Sequence, residues 1–218
     1  MTKYQHLQSR LRNVIYEAHP AALAEDRLPT IDEVTRANIP YLEAVIEETL
    51  RYVPIVSMLI REATVDTQIL GYPIPKGTMV FFCNNTASFL EPSFSISEEK
   101  RSVSSREAKD WYGAWDPADI GDYKPERWLK MEQSEKGGEV SQHEVFDARA
   151  GPMLSFGSGP RSCFGRKLAY VELRITITLL IWTFEFLDIG ESLNGFEALD
   201  AFTVLPQDCY VKLRKIEY

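Results

Sequence analysis

Cysteine is scarce in this chain: Cys83, Cys163 and Cys209 stand far apart, odd in number and with no C-x-x-C pair. That excludes a disulfide scaffold and a zinc ribbon. Histidine is as thin. His6, His19 and His143 are scattered, no His-rich metal cage presents itself, and His143 reads as a surface residue. Positive charge is also short, with 24 Lys and Arg against 32 Asp and Glu and a net charge of −8. A nucleic-acid binder needs a basic face to displace counterions from phosphate, so that class is excluded. Long hydrophobic runs are missing too. The longest uncharged apolar stretch, Ile175 to Phe184, is well short of the ~20 residues that cross a bilayer. The opening residues are charged and amphipathic, without the apolar centre of a signal peptide, so no membrane anchor is read in the chain as given. No internal repeat is visible. With 44% apolar and 26% charged residues, the 218-residue chain has ordinary globular usage and room for one domain or at most two small ones.

What is present begins with amphipathic helices. Tyr4 to Ala18 sets Leu7, Leu11, Val14 and Ile15 at helical spacing and ends near His19-Pro20. Thr30-Ile31-Asp32-Glu33 reads as a capping box opening a short helix. Pro40 can start the next, where its missing N–H costs nothing. Leu42, Val45, Ile46 and Leu50 form its stripe, and Pro54 stops it. From Ser57 to Asn84 the residues become β-formers punctuated by Gly71-Tyr72-Pro73 and Pro75-Lys76-Gly77, which predicts strands over Leu59–Ala63, Thr64–Leu70 and Met79–Cys83. Ser93 to Lys109 is Ser- and charge-rich and reads as a surface loop or insertion, and Glu132 to Ser141 as a polar stretch of the same kind. Arg166 to Glu185 is a long apolar helix of the sort that is usually core. The tail, Phe202–Leu205 and then Tyr210–Lys215, looks like a closing hairpin.

Chemistry concentrates in Phe156-Gly157-Ser158-Gly159-Pro160-Arg161-Ser162-Cys163-Phe164-Gly165. Gly157 and Gly159 permit a tight turn and close backbone approach. Cys163 sits immediately before the long helix, where free N–H groups and the macrodipole favour a thiolate, and Arg161 adds positive charge. A cysteine so presented is a candidate ligand or nucleophile. The bland alternative, a small buried hydrophobe, describes most lone cysteines. Against it, this set of Phe, Gly, Arg and Cys at fixed places has a chance occurrence on the order of 10⁻⁸ per start position at usual residue frequencies.

The segment resembles the haem-binding loop F-G-x-G-x-R-x-C-x-G of the haem-thiolate monooxygenases, the cytochrome P-450 superfamily. All six fixed positions are filled, by Phe156, Gly157, Gly159, Arg161, Cys163 and Gly165. The resemblance implies that Cys163 is the axial thiolate on haem iron, that Phe156 shields the sulfur and that Arg161 pairs with a haem propionate. Glu48-Thr49-Leu50-Arg51 matches the family's E-x-x-R, whose spacing puts both charges on one helical face. Taken alone that match says little, since i,i+3 charge pairs are common on solvated helices. Pro125-Glu126-Arg127-Trp128 matches P-E-R-[FW]. The resemblance implies that Glu48, Arg51 and Arg127 form a buried structural network, not a catalytic one. It further implies that Arg61 is a second propionate partner. The run Ile55–Leu59, with Val56, Ser57 and Met58, would line the substrate pocket, and Phe202 and Thr203 would touch substrate from the far side. An apolar run such as Ile55–Ile60 is as readily plain core.

The implied fold is mainly α with small β-sheets, an α+β class corresponding to the C-terminal part of the cytochrome P-450 fold. It includes the E-x-x-R helix, the haem loop and the final long helix. Residues 1–218 would be one partial domain with a surface insertion at 93–109. No counterpart is read for the family's acidic-Thr-Thr helix, its N-terminal anchor or the helix whose Trp and Arg grip the haem. The Ser-rich stretch and GAWDPADIGDYKPERW look most like filamentous-fungal members. The leading functional expectation is a monooxygenase inserting one oxygen atom from O₂ into a small organic substrate, in fungal secondary-metabolite biosynthesis, with electrons from an NADPH-dependent flavoprotein reductase. Two alternatives stay open: a truncated, non-catalytic product, and a haem-thiolate isomerase or dehydratase. Full-length relatives point to the endoplasmic-reticulum membrane.

Overall fold

The structure, a computed structural model, describes residues 1–84, 89–136, 139–193, 195, 197–200 and 203–217. The chain opens with α1 (Gln5–Ala18), α2 (Pro20–Ala24), α3 (Ile31–Arg36) and α4 (Pro40–Tyr52). Strands β1 (Met58–Glu62), β2 (Thr67–Ile69), β3 (Tyr72–Ile74) and β4 (Met79–Cys83) follow. After α5 (Val103–Ala108) come β5 (Leu129–Lys136) and β6 (Glu139–Phe146), then α6 (Arg166–Thr183). The chain closes with β7 (Phe184–Leu187), β8 (Ala198–Asp200), β9 (Val204–Pro206) and β10 (Lys212–Lys215). All described sheets are two-stranded and antiparallel: β1 with β4, β2 with β3, β5 with β6, β7 with β10 and β8 with β9.

The caps explain the early helices. Thr30 accepts from the Glu33 amide while the Glu33 carboxylate takes the Thr30 N–H, a complete capping box, and Pro40 stands in the first turn of α4. One core lies where α1, α4 and α6 meet, around Leu11, Ile15, Leu42, Ile46, Ile181 and Trp182. A second, smaller one sets Trp115, Ile120 and Trp128 against Ala44. With a core on two sides, α4 buries its polar residues as well: Glu47, Glu48 and Arg51 are out of solvent. Arg174 fastens α6 to the α3–α4 junction, donating to the Val34 carbonyl at 2.9 Å and also to Glu43 and the Ala37 carbonyl.

Several expectations need correction. The described part of Glu132–Ser141 is not loop: Glu132–Lys136 lies in β5 and Glu139–Ser141 in β6, paired in register from Leu129↔Phe146 to Lys136↔Glu139. The strands lack apolar alternation because neither covers a core along most of its length, so period two was invisible. The long helix stops at Thr183, and Phe184–Leu187 leaves it as a strand. Its aromatic, alternating residues suit an extended chain. That strand takes β10 as partner, so the two tail segments do not pair with each other: β9 joins β8 instead. The strand expected over Thr64–Leu70 shrinks to β2, because the chain turns at Leu70 and Gly71, both with positive φ, into β3. Long α6 is fully buried only at Thr178, Ile181 and Trp182, with Tyr170, Leu173 and Ile177 half-buried against the core, while Leu168, Val171 and Leu180 are exposed. Within 93–109, the chain forms a turn of 3-10 helix at Glu98–Lys100 and α5, which Ser102 caps by accepting from the Ser105 amide.

Candidate functional site: the Cys163 loop and its support

Glu48 and Arg51 face each other one helical turn apart, both fully buried. The arginine donates from Nε and Nη2 to the two carboxylate oxygens, each at 2.8 Å, and spends its remaining donors on the carbonyls of Phe89 at 2.5 Å and of Ile120 and Asp122 at 2.9 Å. Arg127 arrives from the 3-10 turn Pro125–Trp128 and donates from Nε to Glu48 at 3.1 Å and from Nη1 to Asp119 at 2.8 Å. The Trp128 indole and the Lys124 amide complete the Glu48 shell at 3.0 and 2.7 Å. Lys124 first and Arg127 next hold the Asp119 carboxyl below its ordinary range. The arrangement neutralises a buried anion, with no donor left over for chemistry. The family resemblance pointed to the three charged members and carried Trp128 within its Pro-Glu-Arg-Trp match, without a role for the indole. Lys124 and Asp119 enter through the loop's path, for which no short motif exists.

The Cys163 loop is built against this support. Ser155 Oγ donates to the Leu50 carbonyl at 2.8 Å, tying the loop to the end of α4. Gly157, at φ +67°, turns the chain so that its amide meets the Leu154 carbonyl at 2.8 Å. A Cβ there would stand 3.7 Å from both the Arg161 carbonyl oxygen and the Ser162 Cα, and 4.0 Å from Leu59 Cδ1, so the loop curls over its own glycine against β1. The Cys163 N–H then closes the loop on the Phe156 carbonyl at 2.7 Å.

The cysteine side chain is exposed. It does not stand directly at the helix, as the sequence reading had it: α6 starts at Arg166 with Gly165 as cap, and the Cys163 carbonyl accepts the Arg166 amide at 3.4 Å. Arg161 is exposed in the 3-10 turn Gly159–Arg161. Arg61 is exposed on β1, two residues after Leu59 and therefore on the same face, the one that meets the loop at Gly157. Its Nη1 donates to the Ile60 carbonyl at 2.8 Å.

Phe156 packs against the main core and tilts over Tyr170 with ring centres 5.3 Å apart. The Tyr170 hydroxyl donates to the Glu47 carboxylate at 2.5 Å, and the Arg166 guanidinium lies 5.4 Å from the Tyr170 ring centre. Burial pushes the Glu47 carboxyl up, against the opposing pull of the Tyr170 bond and the Arg166 charge. Sequence reasoning missed Glu47 and Tyr170, which carry no motif of their own.

Of the residues expected along a substrate pocket, Ser57 is buried and its carbonyl takes the Asn84 amide at 2.8 Å, while Asn84 Nδ2 donates to the Val56 carbonyl at 3.1 Å. Met58 is exposed on the β1 face opposite Leu59 and Arg61. The Val204 amide donates to the Ile55 carbonyl at 2.7 Å, which brings the half-buried Thr203 beside this run. Phe202 lies outside the described residues. No group of three or more metal-ligating side chains occurs among the described residues, and no described helix is long and apolar enough to cross a membrane.

Comparison with known proteins gives one answer. The cytochrome P450 family model matches residues 1–88 and 119–213. The cytochrome P450 monooxygenase TRI13 of Fusarium sporotrichioides is 43% identical over 225 residues, covering 100% of this chain and 38% of that protein. The Hps1-dma1 cluster cytochrome P450 monooxygenase cyp3.1 of Dothistroma septosporum is 36% identical, covering 98% of this chain and 69% of that protein. Among solved structures, a cytochrome P450 described as CYP102L1 superposes with a TM-score of 0.67 at 21% identity, over 99% of this chain and 39% of its own. The fold is thus shared with solved cytochrome P450 structures, and the chain spans about two fifths of the length of the first of these relatives.

Proposed function

The chain belongs to the cytochrome P450 family, and from that membership we propose that Cys163 is the axial thiolate of a haem iron in a monooxygenase that inserts one oxygen atom from O₂ into a small organic substrate. The observation that supports this reading is the loop that presents the sulfur. All three cysteines are exposed, but Cys163 stands on a glycine-turned loop pinned at Ser155, Gly157 and its own amide.

The residues present fit a haem. Cys163 offers a soft sulfur donor to iron, Arg61 and Arg161 are exposed guanidiniums suited to the two propionate carboxylates, and Leu59 gives an apolar contact beside the loop. When bound, haem would supply the activation of oxygen, which thiolate ligation by Cys163 would favour. The protein's part is ligation, orientation and exclusion of water. Phe156 blocks the inner side of the loop, and the Phe156 carbonyl fixes the Cys163 backbone. Glu48, Arg51 and Arg127 hold the platform beneath it. Ser57, on the same side of the run as Leu59 and Arg61, and Thr203 are the proposed substrate contacts, supported by the Ile55–Val204 backbone bond. Electrons would come from a flavoprotein reductase. The fungal monooxygenases among the relatives, one of them named for a gene cluster, support a substrate from fungal secondary metabolism.

The test is spectroscopic. Supplied with haem, reduced and exposed to carbon monoxide, the protein should show the red-shifted band of thiolate ligation, and Cys163→Ala should lose it. Haem bound with the same band in Cys163→Ala would overturn the assignment.

A further inference from the structure

Glu47 and Glu48 are consecutive, both buried, and about 100° apart around α4. They therefore serve different assemblies. Glu48 belongs to the arginine network, whereas Glu47 lines a cavity of about 210 Å³ that it shares with Ser155, Phe156, Gly157, Arg166 and Tyr170. A carboxylate kept out of water is costly unless something specific satisfies it. Here the partner is the Tyr170 hydroxyl, at 2.5 Å. Tyr170 lies against Phe156, ring centres 5.3 Å apart, and the Phe156 carbonyl holds the Cys163 amide at 2.7 Å. The contacts run without a gap from Glu47 to the backbone of the cysteine.

We propose that Glu47 is a positioning residue for the Cys163 loop: by anchoring the Tyr170 hydroxyl it fixes the ring on which Phe156 rests, and so sets where the Cys163 sulfur stands. What the carboxylate adds is a direction, because a tyrosine ring held at both its face and its hydroxyl cannot slide or rotate away from Phe156. The sulfur's role as haem ligand rests on the functional reading above. The positioning claim does not, and it is tested without haem.

The experiment is site-resolved amide hydrogen exchange on the haem-free chain, comparing the parent with Tyr170→Phe, Glu47→Leu and Glu47→Gln. Tyr170→Phe keeps the ring and loses the bond, and Glu47→Leu removes the acceptor. Each should speed exchange at the Cys163 amide by about five- to tenfold, the effect of one net hydrogen bond. Glu47→Gln still offers a side-chain carbonyl to the hydroxyl and should stay within about threefold of the parent. Amides in the middle of α6 serve as the control and should not change. An unaltered Cys163 amide in Tyr170→Phe overturns the proposal, as does equal acceleration along α6, which marks the pair as ordinary helix packing. Should Glu47→Leu fail to fold, Tyr170→Phe against Glu47→Gln decides alone. Failure of the protein to take up haem counts against the functional reading only.

Discussion

An anion with no access to water survives only if its oxygens are filled, and Glu48 shows how this is done with little redundancy. Oε1 receives Arg51 Nη2, Arg127 Nε and the Lys124 amide, and Oε2 receives Arg51 Nε and the Trp128 indole. Every partner is a donor. Glu48→Gln keeps shape and volume but turns an NH₂ group toward donors and leaves two guanidiniums short of counter-charge. Removing one member of a buried charge pair costs about 3–5 kcal/mol. Glu48→Gln should lower the denaturant midpoint accordingly, with an unchanged slope if the native state keeps its compactness. A loss below about 1 kcal/mol, the value of an exposed pair, would mean that water reaches the network. These charges were legible through the family resemblance of the Glu-x-x-Arg and Pro-Glu-Arg-Trp segments, since i,i+3 spacing alone describes many solvated helices. Glu47, one residue earlier, was not, because its partner Tyr170 is far along the chain and ordinary in its own context.

Elements were legible where one face repels water and a cap marks the end. The α1 stripe, the Thr30 capping box and the Pro40 start of α4 all read directly from side-chain spacing. Strands were less so. In β5 and β6 both paired strands are polar runs, which an apolar-period argument passes over. At β7 the difficulty is opposite: Phe184 and Phe186 continue the apolar character of α6, and what makes them extended lies on α1. The buried Gln8 side chain accepts the Phe186 amide at 2.7 Å and donates to the Phe186 carbonyl at 3.2 Å, behaving as a short piece of neighbouring strand. Gln5 also donates to that carbonyl, at 2.8 Å. In Gln8→Leu the carbonyl therefore keeps a partner while the amide is orphaned, at a cost of about 1–3 kcal/mol. Equilibrium unfolding should show that loss, together with faster exchange at the Phe186 amide. Gln5→Ala, at an exposed position, should change neither appreciably.

At the scale of the whole molecule, the two cores account for only part of the apolar surface. One face of the β1–β4 sheet is set by register: Met58 lies opposite Cys83, Ile60 opposite Phe81 and Glu62 opposite Met79. All of the apolar side chains in that set are exposed, forming a contiguous patch. Leu168 and Val171, one turn apart on α6, expose a second, and Phe164 beside the cysteine is fully exposed. Monomeric proteins seldom leave such patches bare, and the usual results are association or aggregation. The 218-residue chain by itself should therefore associate with rising concentration, visible in sedimentation velocity and in binding of a hydrophobic dye. Replacing Leu168 and Val171 by serine should weaken that association without lowering the unfolding midpoint, because neither side chain contributes to a core. Ile181→Ser, on the buried side of the same helix, should do the reverse, losing several kcal/mol of stability through a cavity and an unpaired hydroxyl. A chain that stays monomeric and dye-negative at high concentration would mean that these faces are covered in solution by a rearrangement of the chain itself, and the two serine replacements would then destabilise it.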